Sequence, residues 1–321
     1  TVLRDAQGVP QIYADTPEDL FRAQGYVQAQ DRFFEMDYRR HVTSGRLAEL
    51  VGDNPDAIAA DTVTRTFGWR QVAEEEWDVV SPETKAYLQA YAEGVNAYLE
   101  DRSPSEIALE YTVLGLQVDV AEPEPWDPVD SLAWLKAMAW DLRGNYDDEL
   151  DRALAYGTLQ DTARVAELFP AYPSELNAPI LDPGELENPQ EVALDLGPQA
   201  RAEYGSDHLQ AALEAADRAL GAVPVLIGRG EGTGSNSWVV SGEHTASGKP
   251  ILANDPHLAL GAPGIWAQVG LHCNEVSPAC GFDVAGFSFA GFPRLVLVPN
   301  AQLAWGLPNR RAGGRAFVGA R

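Results

Sequence analysis

The glycine run Gly228, Gly230, Gly232 and Gly234 ends on a serine, and this junction is where the sequence first offers chemistry. Gly234–Ser235 is a small, accessible peptide bond whose carbonyl the Ser235 hydroxyl can attack. Scission there would leave Ser235 with a free α-amino group of unperturbed pKa about 7.7 to 8.0, close to working pH. Such an amine can act as base for the hydroxyl of its own residue, so one residue would carry both nucleophile and base. On spacing alone, a serine after glycine is also an ordinary turn residue. The run does not read as a phosphate loop, because Trp238, Val239 and Val240 continue as a strand, not as a helix whose N-terminus would hold an anion. A G-x-S-x-G elbow, an H-E-x-x-H pair and a G-x-x-x-x-G-K-[ST] loop are all absent from the sequence.

The two cysteines, Cys273 and Cys280, lie seven apart around turn formers and lack the further Cys or His pair of a zinc site. A local disulfide is the expectation, with two free thiols as the alternative; a disulfide would place the protein in an oxidising compartment, periplasmic or extracellular. With 48 acidic and 23 basic side chains the formal charge is -25, which repels nucleic acid and anionic membrane and leaves a well-solvated surface. No apolar stretch reaches the ~20 residues that span a bilayer. No leader opens the chain, and one removed earlier is compatible with it.

These residues need elements to position them. Val9 to Ala14 alternates as a short strand, and Thr16 can cap a helix whose first turn is Pro17, Glu18 and Asp19. Helical spacing predicts further helices over Pro82 to Leu99, Asp130 to about Leu159, and His208 to Leu220. Phe169 to Leu196 is rich in Pro, Asn and acidic residues and reads as a linker. From Trp238 onward, short β-branched and aromatic runs separated by Gly, Pro and Asn predict a meander of strands. Helices first and strands afterwards imply an α+β protein whose active centre lies where the halves meet.

The stretch GSNSWVVSGEHTASGKPILANDPHL, Gly234 to Leu258, resembles the segment that opens the β subunit of penicillin acylases and related N-terminal-nucleophile (Ntn) hydrolases. Arg4 to Gly52 resembles the start of their α subunit, and Glu124 to Ala153 a third block, in the family's order. The resemblance implies an αββα sandwich, incomplete here, with antiparallel strands after Ser235. It implies an α-subunit-like region over 1–175, a spacer over 176–234 and a partial β region over 235–321. It also implies an autoproteolytic zymogen whose two pieces stay partners, and hydrolysis of penicillin-type or N-acyl homoserine lactone amides without an organic cofactor.

Position by position, the resemblance makes Ser235 the nucleophile, with Asn236 beside it holding it in place and His257 near it. His257 is otherwise a residue capping a turn after Pro256. The oxyanion donor just after Trp305 and Gly306 falls on Asn309, a contribution of a few kcal/mol for donors of this kind. Trp140, Arg143, Tyr146 and Leu258 become acyl-pocket candidates, although Trp140 by default is core. Glu149 aligns with a calcium carboxylate; otherwise, with Asp147, Asp148 and Asp151, it marks a solvated helix face. The family's second oxyanion donor and second calcium segment have no counterpart before Arg321. After Asp283 there is no acidic residue, while Arg294, Arg310, Arg311, Arg315 and Arg321 follow. This implies a chain truncated or frame-shifted near Leu307. Two other readings of the sequence are an inactive fragment and a binding module that retains carbohydrate or peptide without turnover.

Overall fold

The computed structural model describes residues 1–142, 146–170, 173, 176, 207–227, 234–300 and 303–307. Two compact units emerge: Thr1–Arg143 with Ala222–Ala312, and Gly144–Gly221 with Gly313–Arg321.

In the first unit, strands β1 (Val2–Arg4) and β2 (Pro10–Ala14) form an antiparallel hairpin. Helix α1 (Pro17–Ser44) then starts as the sequence dictates: the Thr16 side chain accepts the Asp19 N–H at 3.2 Å, and Pro17 sits where no N–H is needed. It ends at Gly45, whose φ of +65° is the left-handed turn that glycine adopts without a Cβ penalty. There follow α2 (Leu47–Val51), α3 (Pro55–Phe67), α4 (Trp69–Val79) and α5 (Pro82–Leu99), then α6 (Pro104–Ile107), α7 (Leu109–Leu114) and α8 (Pro128–Asp141). Helix α5 has the bounds its periodicity predicts.

The second unit contains α9 (Tyr146–Leu159), α10 (Thr162–Leu168) and α11 (Asp207–Gly221). The single helix expected from Asp130 to about Leu159 is thus two helices, α8 and α9, assigned to different units. Gly144 and Asn145 lie between them, and both are poor residues for a helix interior. Most of the linker reading, Phe169 to Leu196, lies outside the described residues.

The chain returns to the first unit with β3 (Gly234–Val240), β4 (Ile251–His257), β5 (Trp266–Cys273), β6 (Asp283–Phe289), β7 (Val298–Pro299) and β8 (Ala304–Trp305). The main sheet has the order β1-β2-β5-β6. Strand β5 runs parallel to β2, Gln11 opposite Gly270 through Ala14 opposite Cys273, and antiparallel to β6. The first half is mainly helical after the strand read over Val9 to Ala14, and strands follow Ser235, as expected. The N-terminal hairpin is part of the late sheet, because Ile12, Val269 and Leu271 bury one apolar face together against α1. The architecture is α+β, and the strands after Ser235 pair antiparallel among themselves.

The core lies between this sheet, α1 and α5. Phe21, Phe33, Met36, Tyr91 and Val95 are essentially without solvent contact, each such side chain worth about 1.5–3 kcal/mol of burial. Helices α1 and α5 cross at two glycines: a Cβ on Gly25 would fall 2.1 Å from the Tyr91 carbonyl oxygen, and one on Gly94 1.8 Å from that of Arg22. Buried charge is paired as physics demands. Asp37 binds Arg40 at 2.5 Å and the Tyr111 hydroxyl at 2.6 Å. Burial alone would raise the Asp37 carboxyl, but His41, Arg40 and Tyr111 prevail and hold it at about 2.

Asp61 shows how one carboxylate organises local structure: it accepts the N–H groups of Leu47 and Ala48, at 2.6 and 2.9 Å, at the start of α2. Asp61→Ala leaves two N–H donors without partners, one of them buried. It is expected to lower stability by about 1–3 kcal/mol, measured by chemical denaturation of the full-length protein.

Cys273 and Cys280 form a disulfide with a Cα–Cα distance of 5.8 Å at the β5–β6 turn, as the local-disulfide reading expects; neither is a free thiol. Among the described residues, no helix is long and apolar enough to cross a membrane.

Candidate active site

Strands β3 and β4 form a ladder of seven residues each, which sets Gly234 opposite His257, Ser235 opposite Pro256, Asn236 opposite Asp255 and Ser237 opposite Asn254. The strand therefore brings the Gly234–Ser235 junction and His257 to one end of the ladder. Ser235 is half-buried, and its hydroxyl donates to the Gly234 carbonyl oxygen at 2.5 Å, so the nucleophile candidate already rests on the bond it would attack.

Opposed residues of an antiparallel pair share a face, and neighbours along a strand alternate. Ser235 consequently shares its face with Pro256, Ser237 and Asn254. His257 lies on the other face with Asn236, where its Nε2 is 3.5 Å from the Asp255 carboxylate. The histidine is near the junction in the ladder but points away from the Ser235 side chain. Asn236 and Asp255 are exposed on that same face.

The composition-based reading missed Asn254. Both its amide atoms are shielded from solvent and have no hydrogen-bond partner among the described residues, an arrangement that costs about 1–3 kcal/mol per group. Gly306 packs directly on this side chain: a Cβ at 306 would meet the Asn254 Cγ and Oδ1 at 2.4 Å and its Cβ at 2.5 Å. The Trp305–Gly306 pair, singled out as the approach to the oxyanion donor, is thus seated on the face that carries Ser235. No motif marks Asn254; only the strand register reveals it. Gly306→Ala must displace Asn254 or the 305–306 backbone. It is expected to lower stability by about 1–3 kcal/mol, measured by chemical denaturation.

Trp140 is 2% exposed and sits against Phe67 and Trp69, with ring centroids 5.2 and 5.8 Å away. This is the core position its type suggests by default. Leu258 is half-buried just beyond β4. Arg143 and Asn309 lie outside the described residues, as does the side chain of Tyr146, whose backbone begins α9.

Glu149 is on α9 between Asp148 and Leu150. Nearby, burial followed by the charges of Asp217, Asp147 and Asp148 pushes the Asp151 carboxyl up. Calcium takes six to eight oxygens, and among the described residues no group of three or more His, Cys, Asp or Glu side chains could hold a metal ion. The described residues around Glu149 therefore do not by themselves build a calcium site.

The penicillin amidase family model matches residues 1–313. The chain is 34% identical over 292 residues to penicillin acylase 2 proenzyme of Pseudomonas sp. strain SE83, covering 91% of this chain and 34% of that protein. It is 34% identical over 310 residues to acyl-homoserine lactone acylase QuiP of Pseudomonas aeruginosa, covering 96% of this chain and 32% of that protein. The chain thus spans about a third of the length of these curated relatives. A solved thermostable penicillin G acylase from Alcaligenes faecalis matches at 27% identity and TM-score 0.45, covering 57% of this chain and 96% of that one; so partial a likeness does not carry the fold by itself. The match to 313 of 321 residues is decisive: this chain belongs to the penicillin amidase family.

Proposed function

We propose that this chain is the front part of an amide hydrolase that activates itself at Gly234–Ser235 and then uses Ser235 as its nucleophile. The observation that carries the reading is the Ser235 hydroxyl resting on the Gly234 carbonyl at the head of β3 in a chain of this family. In the first reaction Ser235 Oγ bonds to the Gly234 carbonyl carbon, the Gly234–Ser235 C–N bond breaks and the nitrogen takes a proton. Water then hydrolyses the ester, leaving a carboxylate on Gly234 and a free amine on Ser235.

In the second reaction that amine takes the hydroxyl proton as Oγ attacks the acyl amide of a substrate. The proton passes to the leaving amine, and water releases the acid from the ester on Ser235. Asn309, just beyond Trp305–Gly306, lies outside the described residues and would supply a donor to the developing oxyanion. His257 faces away and is given no proton-transfer step. Asn236, beside Ser235 in β3, would help hold the nucleophile in place.

Two of the compared relatives are named for a penicillin and for an acyl-homoserine lactone. Both substrate types present an N-acyl amide beside a polar ring, and that is the substrate class proposed. No organic cofactor enters these steps. Glu149 would contribute one oxygen to a calcium site whose other ligands lie outside the described residues. The Cys273–Cys280 disulfide supports a periplasmic or extracellular location.

The test is turnover by the full-length protein of two probes, a chromogenic phenylacetyl amide and a long-chain N-acyl homoserine lactone, with release of free amine as the readout. Release from either supports the reading. Retention of both without release favours the binding module.

A further inference from the structure

The segment leading to the scissile bond is held by a group that the chemistry above does not use. Val223 and Ile227 are buried, at 3% and 1% exposure. The backbone N–H groups of Leu226 and Ile227 both donate to one carboxylate oxygen, Oδ2 of Asp141, at 2.6 and 2.7 Å. Asp141 is the last residue of α8 and is itself buried. On its other side Ile227 accepts the Ala259 N–H through its carbonyl at 2.8 Å. Ala259 is two residues beyond His257, which pairs with Gly234 in the ladder.

The chain is thus pinned on both sides of the junction. Upstream, Asp141 and Ala259 fix residues 226 and 227; downstream, β4 fixes Ser235. Residues 228–233 lie between, and four of the seven residues from 228 to 234 are glycine, the residue with most backbone freedom to lose. A nucleophile attacks efficiently only when the reacting atoms are held near the attack geometry.

We propose that Asp141 is a positioning residue for self-scission: its carboxylate clasps the N–H groups of Leu226 and Ile227 and so presents the Gly234 carbonyl to Ser235. The inference rests on the proposed self-cleavage. Two consecutive N–H groups on one carboxylate oxygen form a charge-assisted pair, stronger than neutral hydrogen bonds. An amide in its place keeps the acceptor but loses the charge.

The test is the first-order loss of uncut chain after in vitro translation of the full-length protein, read on a gel. It uses the wild type, Asp141→Asn, Asp141→Ala and, as a control that removes a buried carboxylate elsewhere, Asp61→Ala. Asp141→Ala is expected to slow scission about tenfold or more, Asp141→Asn to fall between it and the wild type, and Asp61→Ala to cut at the wild-type rate per folded chain, with the effect scaled by the lost charge-assisted pair. The clasp is overturned if Asp141→Ala cuts as fast as the wild type, or if both Asp141 variants and Asp61→Ala slow equally, which marks general destabilisation. A wild-type chain that never splits removes the self-cleavage itself, an outcome distinguishable from failure of the clasp alone.

Discussion

Ser235→Ala is expected to leave the full-length protein in one piece and to abolish amide turnover. Alanine removes the one atom that both proposed reactions require, the Oγ that would attack Gly234 in the precursor and the substrate carbonyl afterwards. The fall in kcat is expected to be about 10³-fold or more, the scale seen when a catalytic nucleophile is deleted while binding and oxyanion contacts stay. The fold should survive, since Ser235 is only half-buried and its hydroxyl bonds to its own neighbour. An unchanged melting temperature alongside lost scission is therefore the signature, read by gel and by circular dichroism. Ser235→Cys is the informative companion, because a thiol retains nucleophilicity and is expected to restore some scission where alanine restores none.

Gly94→Ala is expected to have the largest effect on stability. In an exposed helix interior alanine is better than glycine by about 1 kcal/mol, so a naive reading expects stabilisation. The crossing of α1 and α5 reverses the sign. A Cβ on Gly94 would sit 1.8 Å from the Arg22 carbonyl oxygen, 2.7 Å from the Arg22 carbonyl carbon and 3.0 Å from the Tyr26 nitrogen, all backbone atoms that no rotamer change can move. The two helices must separate, loosening the packing of Phe21, Tyr91 and Val95. A loss of about 3 kcal/mol or more is expected, measured by chemical denaturation. Gly221→Ala, where a Cβ meets nothing within 4 Å, is expected to be near neutral and serves as the control.

Much of the fold was legible because local chemistry writes it. Thr16 before Pro17 and the aromatic spacing of Tyr87, Tyr91 and Tyr98 mark helices that the structure shows at those positions. The Cys273–Cys280 disulfide was legible from spacing. The parallel partnership of β2 with β5 was not, since strand pairing across more than 250 residues leaves no local signal. The break between α8 and α9 was hidden by apolar spacing that continues past Gly144 and Asn145.

At the site, Gly234 and Ser235 were visible as a junction and Trp305–Gly306 as a family pair. Two features depend on register and tertiary contact alone. One is the face of β4 on which His257 lies, which separates it from the Ser235 side chain. The other is the amide of Asn254 under Gly306, without a hydrogen-bond partner among the described residues. Asp141 reads in sequence as one acid among 48, and only its contacts to Leu226 and Ile227 distinguish it.

Mass spectrometry of the purified, hydrolytically active full-length protein reaches the centre of the question: whether Ser235 is a chain terminus when it works. Two polypeptides are expected, the downstream one beginning Ser-Asn-Ser-Trp with an unblocked α-amino group on Ser235. An active preparation in which Gly234 and Ser235 are still joined by a peptide bond would contradict the mechanism outright.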